Sequence, residues 1–116
     1  MGGVLLGLLA SSTQAASSPL GIIISPDPSY DFRVGAGNLT SSAVTGSASG
    51  GAGGYTYAWT YISGSSYTIN APSSAATTFT TTLSASQLKS GVYRCTVTDS
   101  LSATASADVT VELESV

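Results

Sequence analysis

Gly91-Val-Tyr-Arg-Cys-Thr-Val-Thr98 decides the fold, because its side chains alternate with a period of two. That period belongs to a strand and sets Tyr93, Cys95 and Val97 on one face. Downstream, Asp99-Ser100 reads as a hairpin turn capped by the aspartate. The segment Ala105 to Leu113 then repeats the alternation through Ala107, Val109, Val111 and Leu113. Upstream, Tyr55-Thr-Tyr-Ala-Trp-Thr-Tyr-Ile62 puts Tyr55, Tyr57, Trp59 and Tyr61 on one face, which predicts burial around Trp59.

The remaining strands follow from the same rule. Leu20-Gly-Ile-Ile-Ile24 is a β-branched run ended by Ser-Pro-Asp-Pro-Ser-Tyr-Asp31, whose two prolines and two aspartates predict a turn. Phe32 to Thr40 is punctuated by glycine, and Ser42 to Ser49 alternates small apolar with hydroxyl residues. Gly50-Gly-Ala-Gly-Gly54 predicts a flexible hairpin. Tyr67 to Asn70 reads as a short strand, Phe79, Thr81 and Leu83 alternate in the next, and Ser84 to Ser90 reads as a connection. Turn signals at intervals of about 8 to 12 residues predict an all-β sandwich of about seven strands.

Gly91-Val-Tyr-Arg-Cys95 resembles strand F of an immunoglobulin-like domain. The resemblance implies a tyrosine corner, with the Tyr93 hydroxyl bonding back to the preceding connection, and it makes Trp59 the core tryptophan of strand C. The cysteine partner of such a domain stands roughly 11 to 16 residues before that tryptophan, and Ala43 and Val44 occupy the window here. The disulfide is therefore absent, and Cys95 reads as a small buried hydrophobe. Lys89 stands where the family commonly has aspartate, so the family's salt bridge is not expected. From Ser42 to Val111, GGAGGYTYAWT, ATTFTTTLSASQLKSGVYRCTVTDS and ADVTV are similar to the short Ig-like modules of tailed-bacteriophage structural proteins, which also resemble bacterial surface and PKD-type repeats.

Composition narrows the chemistry. A chain of 116 residues matches one domain of roughly 100 to 150 residues. Charged residues make up 8% of it, against about 25% in an average protein. Three basic residues and a net charge of -3 argue against nucleic-acid binding. The chain has no histidine, which removes the commonest general base and metal ligand, and its single cysteine makes neither an internal disulfide nor a Cys-based zinc site. Serine and threonine, 22 and 15 in number, supply a solvent face of hydroxyls in place of charges.

The residues left for chemistry form no convincing set. Asp27 and Asp31 flank a Pro-Ser-Tyr turn and offer oxygens to a hard cation, but the competing reading has them satisfying local N–H groups. Asp108, Glu112 and Glu114 complete the carboxylates. Ser90 beside Lys89 is poor geometry for a Ser-Lys pair. Asn38-Leu-Thr40 matches a glycosylation acceptor formally. The tyrosines at 55, 57 and 61 offer a glycan-binding face if exposed, though they read better as core and core rim. No enzyme activity, cofactor or metal is expected. The predicted structural core is Trp59, Tyr93, Cys95, Val97 and Val109.

The N-terminal Met-Gly-Gly-Val-Leu-Leu-Gly-Leu-Leu-Ala10 carries an apolar run too short to span a bilayer, which takes about 20 residues, and no Lys or Arg precedes it. Residues 1–18 are expected to be an arm on the domain 19–116, docking on a neighbouring subunit through Val4, Leu5, Leu6, Leu8 and Leu9 or pairing within its own domain. The resemblance implies a virion structural protein, most plausibly a capsid decoration subunit, with a phage tail component as the alternative. Its partners would be the major capsid protein or other virion subunits, including further copies of itself. A secreted adhesion module binding host surface glycan, with residues 1 to about 16 as signal, is the alternative of another class.

Overall fold

The computed structural model describes residues 18–116, which form ten strand segments and no helix. They are β1 (Gly21–Ser25), β2 (Ser29–Arg33), β3 (Gly37–Thr40), β4 (Val44–Ser49), β5 (Thr56–Gly64), β6 (Thr68–Ile69), β7 (Ala76–Thr77), β8 (Phe79–Leu83), β9 (Leu88–Thr98) and β10 (Thr104–Ser115). One layer is a four-stranded sheet in the order β2-β10-β9-β5. The other consists of two three-stranded pieces, β1-β4-β7 and β3-β8-β6. These pieces run on from each other: β3 and β4 are successive parts of one strand, β8 and β7 of its partner. At the break, Ser41 N donates to Phe79 O (2.8 Å) and Phe79 N to Ser41 Oγ (3.0 Å). Counting β1 with β2, β3 with β4 and β7 with β8, the ten segments reduce to the seven positions of an Ig-like sandwich.

Alternation sets the core. Along β9 and β10 every second residue faces inward, so Tyr93, Cys95, Val97, Val109, Val111 and Leu113 are buried, and Trp59 joins them from β5. Val44, Phe79 and Leu83 answer from the second layer. Phe79 and Tyr93 lie 4.7 Å apart between ring centroids, with Tyr67 stacked on Tyr93 at 5.6 Å. Each such pair adds about 0.5–1.5 kcal/mol beyond area burial. Tyr67 Oη donates to Val111 O (2.9 Å), pinning one layer to the other.

Three expectations need correction. The turn expected over Ser25 to Asp31 is shorter, because β2 begins at Ser29 and takes in Tyr30 and Asp31. The Pro-Asp-Pro segment moves the chain between layers: β1 pairs antiparallel with β4, whereas β2 pairs parallel with β10. Next, the Tyr93 hydroxyl does not bond back to the Ser84–Ser90 connection. It accepts from Tyr67 N (2.5 Å) and donates to Ser65 O (3.2 Å), fixing the segment after β5. The Ser84 connection is held instead by Gln87, whose side chain accepts from Ser84 N, and by Ser115 Oγ, which accepts from Gln87 N. Finally, the residue facing Cys95 is neither Ala43 nor Val44. It is Gly46, where an added Cβ would lie 3.2 Å from Cys95 Sγ.

β2 is inside out. Its register with β10 sets Ser29 in the core beside Val111, with no hydrogen-bond partner for its hydroxyl, and turns Tyr30 and Phe32 to solvent. An unsatisfied buried hydroxyl is destabilising, so Ser29→Ala is expected to raise stability by about 1 kcal/mol in urea denaturation. A loss of that size would mean that the hydroxyl has a partner.

Cys95 is fully buried and unbonded to another cysteine. Burial pushes its thiol up to about 11. A disulfide reagent at pH 8 is expected to leave the native protein untouched and to titrate the single thiol on unfolding. Prompt reaction of the native protein would contradict this packing.

Candidate functional site

The two ends of the sandwich differ, and the difference begins with glycine. Gly50, Gly51, Gly53 and Gly54 all have positive φ, a region that L side chains rarely enter. A Cβ on Gly51 would sit 2.7 Å from Asp99 Oδ2. The loop can therefore close on Asp99, which accepts from Ala52 N (3.0 Å) and, across its own turn, from Leu101 N and Ala103 N (both 2.9 Å). These donors, led by Ala52 N, hold the Asp99 carboxyl below its ordinary range. Asp99 thus caps its hairpin and also binds a second loop, which gives the glycine cluster a fixed geometry where a flexible hairpin was expected. Gly51 N donates to Ser18 O (2.9 Å), so the chain enters the domain at this end.

The C-terminus lies at the opposite end, where Val116 N donates to Arg33 O and Gly35 N to Val116 O (both 2.9 Å). Five of the large exposed hydrophobics gather there: Tyr30, Phe32, Val34, Leu88 and Val116. Phe32, Glu114 and Leu88 form one row across β2, β10 and β9, and Tyr30, Glu112 and Ser90 form the next. The Tyr30 and Phe32 rings stack at 6.4 Å, and Tyr30 Oη donates to Glu114 Oε1 (2.5 Å). That bond to the carboxylate, with its negative charge, pushes the Tyr30 phenol up. The face bears two carboxylates, while each basic side chain of the protein is engaged elsewhere. Arg33 donates to Gly35 O and Asn38 O, Lys89 to Thr81 Oγ1 and Thr82 O, and Arg94 to Asp108.

The residues singled out from sequence are dispersed. Asp31 accepts from Ser42 N (2.8 Å) and Ser42 Oγ (2.9 Å), and Asp27 from Thr110 N (3.2 Å). The two carboxylates serve different partners, and those partners are distant in sequence, so the expectation of local N–H groups was wrong. Among the described residues no group of three His, Cys, Asp or Glu side chains could hold a metal ion. Ser90 and Lys89 are successive strand residues and face opposite ways. Asn38 is a strand residue whose Oδ1 accepts from Thr82 Oγ1 (2.6 Å). The tyrosine stripe lies at the core rim: Tyr55 Oη donates to Gly50 O (2.6 Å), Tyr57 packs on the core, and Tyr61, 48% exposed, meets Tyr93 edge-on at 5.7 Å. Val4, Leu5, Leu6, Leu8 and Leu9 lie outside the described residues.

The exposed pair Tyr30 and Phe32 was missed from sequence. The available signal was the alternation Tyr30-Asp-Phe-Arg-Val34, which looks like an ordinary half-buried strand. Only the register with β10 shows that its apolar side faces out.

Comparison with known proteins supplies a family. The family model described as K319L-like, PKD domain, matches residues 37–113, from β3 into β10. Among solved structures, a nucleoside hydrolase-related hypothetical protein from Saccharophagus degradans, described as associated with carbohydrate metabolism, has a TM-score of 0.57 and 18% identity, covering 88% of this chain and 26% of its own. This chain therefore corresponds to about a quarter of that protein. A conjugative transposon lipoprotein from Bacteroides eggerthii has a TM-score of 0.43 and 12% identity, covering 80% of this chain and 96% of its own. No curated protein matches the sequence.

Proposed function

Since the chain belongs to the K319L-like PKD domain family, with the matched span lying within the Ig-like sandwich, we propose that it is a non-enzymatic structural module. Fold resemblance alone does not settle function. The observation that carries this reading is the use made of the polar side chains. Asp27, Asp31, Asp99 and Asp108 each bind the chain's own N–H groups, hydroxyl or guanidinium, and Lys89 ties two strands together. The two that meet a hydroxyl, Asp31 at Ser42 Oγ and Lys89 at Thr81 Oγ1, spend their other bonds on the chain's own backbone.

The finer reading is a capsid decoration subunit of a tailed phage. An arm of residues 1–18 docks on the major capsid protein or another virion subunit, and the sandwich projects. The entry of the chain at the Gly50–Gly54 end supports this, because an anchor there leaves the C-terminal end turned outward. Many copies on a symmetric shell would convert weak single contacts into high occupancy. A place in the tail would use the same physics. The test is deletion of residues 1–18: the domain is expected to fold with its denaturation midpoint nearly unchanged and to be lost from particles. Retention at wild-type copy number would remove the arm from the account.

A second reading rests on the exposed Tyr30–Phe32 pair flanked by Glu112 and Glu114. Aromatic area with adjacent hydrogen-bond acceptors suits a glycan, which would fit a secreted adhesion module. Intact mass separates the two: a chain beginning at Met1 or Gly2 supports assembly without secretion, and one beginning near Ala16 or Ser17 supports export.

A further inference from the structure

We propose that two copies of this chain associate through the free edge of β2, pairing antiparallel about Phe32 so that their two four-stranded sheets become one. The pairing goes beyond the structural role proposed above and does not depend on where the chain is used.

The direction of the backbone groups leaves this edge open. Among the described residues β2 pairs with β10 alone and ends its sheet. Arg33 O accepts from Val116 N and Gly35 N donates to Val116 O, so the odd-numbered residues turn their backbone groups to β10. Those of Tyr30, Phe32 and Val34 are therefore aimed out of the edge, with no hydrogen-bond partner among the described residues. An unpaired edge of this kind templates a further strand. The sheet's other edge differs, because Trp59 N in β5 is taken up by Pro72 O.

The side chains select a second copy as the occupant. Centred on Phe32, the segment Tyr30-Asp-Phe-Arg-Val34 is complementary to itself when reversed. In an antiparallel pair Phe32 faces Phe32 of the second copy, Tyr30 faces Val34, and Asp31 faces Arg33 on both sides of the two-fold axis. The first two are pairs that exchange both backbone bonds, as the outward groups of Tyr30, Phe32 and Val34 require. Asp31 with Arg33 is the closer, non-bonded kind, about 4.5 Å between Cα atoms. Both charged side chains have capacity left, since Asp31 accepts only from Ser42, and Arg33 donates through Nε and Nη1 and keeps Nη2. Opposite charges facing across strands stabilise a pairing and like charges oppose it. A slip of two residues would set Asp31 against Asp31 or Arg33 against Arg33, and a slip of one would send side chains to opposite faces, so this register alone fits. Charges on an edge strand ordinarily keep other strands away, and here they admit the partner that carries the reverse order. The outer face gains as well, since Tyr30, Phe32 and Val34, which are 50%, 57% and 77% exposed, come to lie beside apolar counterparts.

The test begins with the full chain in sedimentation equilibrium, where a monomer–dimer equilibrium is expected at high micromolar concentration. Asp31→Arg and Arg33→Asp each place like charges across the axis, and each alone is expected to weaken the dimer at least about ten-fold. Mixing the two variants sets opposite charges against each other again and is expected to return a heterodimer near the parent affinity. A second arm does not depend on those variants folding. Phe32→Cys places two thiols opposite each other at about 5.5 Å between Cα atoms, within disulfide reach, whereas Tyr30→Cys leaves them roughly 13 Å apart along the strands. Tyr30 and Phe32 are similarly exposed, and buried Cys95 does not compete. On oxidation a linked dimer is expected to form at least ten-fold faster with Phe32→Cys than with Tyr30→Cys. A monomer at every concentration, equal rates for the two cysteine variants, or a mixture no tighter than its components would overturn the proposal. So would a dimer seen only after residues 1–17 are removed, which would give the edge to the chain's own segment.

Discussion

Truncating Trp59 to alanine is expected to cost the domain about 3–5 kcal/mol, read as a shift in the urea midpoint at constant slope. The indole is 3% exposed and lies between the layers, edge-on to Phe79 at 6.1 Å. Its β5 backbone position is opposite Cys95. Its removal leaves a cavity that two packed sheets close only partly. Trp59 Nε1 also donates to Ser74 O (2.8 Å), and Trp59 N to Pro72 O (2.8 Å), so the segment between β6 and β7 is fastened to this residue. Trp59→Phe would keep most of the volume and lose the Nε1 bond, and is expected to cost less than half as much. Against a total stability of about 5–15 kcal/mol, the alanine variant should be close to unfolding at 37 °C. A loss under about 1 kcal/mol would contradict the register of β5 on β9.

Gly46→Cys is expected to form a disulfide with Cys95 and to stabilise the domain by about 2–4 kcal/mol under oxidising conditions. The Cβ built at Gly46 lies 3.2 Å from Cys95 Sγ, close to the roughly 3 Å that an S–S bond of about 2.04 Å requires between those atoms. The closed loop of about 50 residues would remove about 4 kcal/mol of chain entropy from the unfolded state. Ile22 Cδ1, 3.1 Å from the new Cβ, must give by a few tenths of an ångström, which trims the gain. Under reducing conditions the same variant should be less stable than the parent, because a second thiol overfills the site. The check is a thiol assay and a melting curve with and without reductant. Two free thiols in the oxidised, folded protein would show that Gly46 does not face Cys95.

Much of the sandwich is legible in the sequence. β9 and β10 announce themselves because each is paired through most of its length and buried on one face, the condition under which a period of two is strongest, and β5 does so through its alternating aromatics around buried Trp59. β8 is legible through its inward pair Phe79 and Leu83.

The failures share a cause, which is that contacts between distant residues override local pattern. β2 looks like an ordinary strand, yet its parallel register with β10 inverts it and buries Ser29. Gly46 has no side chain to mark it as a core position, so Ala43 and Val44 stand out although Gly46 lies in the same window. Tyr93 finds Ser65 and Tyr67 because the bulge between Val92 and Tyr93 and the Tyr67 stack bring that segment under its hydroxyl. The candidate surface was the least legible part, since an exposed aromatic pair and a half-buried strand look alike when only alternation is visible.

The central proposal is that this Ig-like chain is a repeated structural component of a particle. The most direct measurement is its copy number relative to the major capsid protein in purified source particles, before and after mild guanidinium treatment. Hundreds of copies that strip without breaking the shell are the predicted result. A handful to a few dozen would place it in the tail or neck, and none at all would contradict the account and favour the secreted adhesion reading.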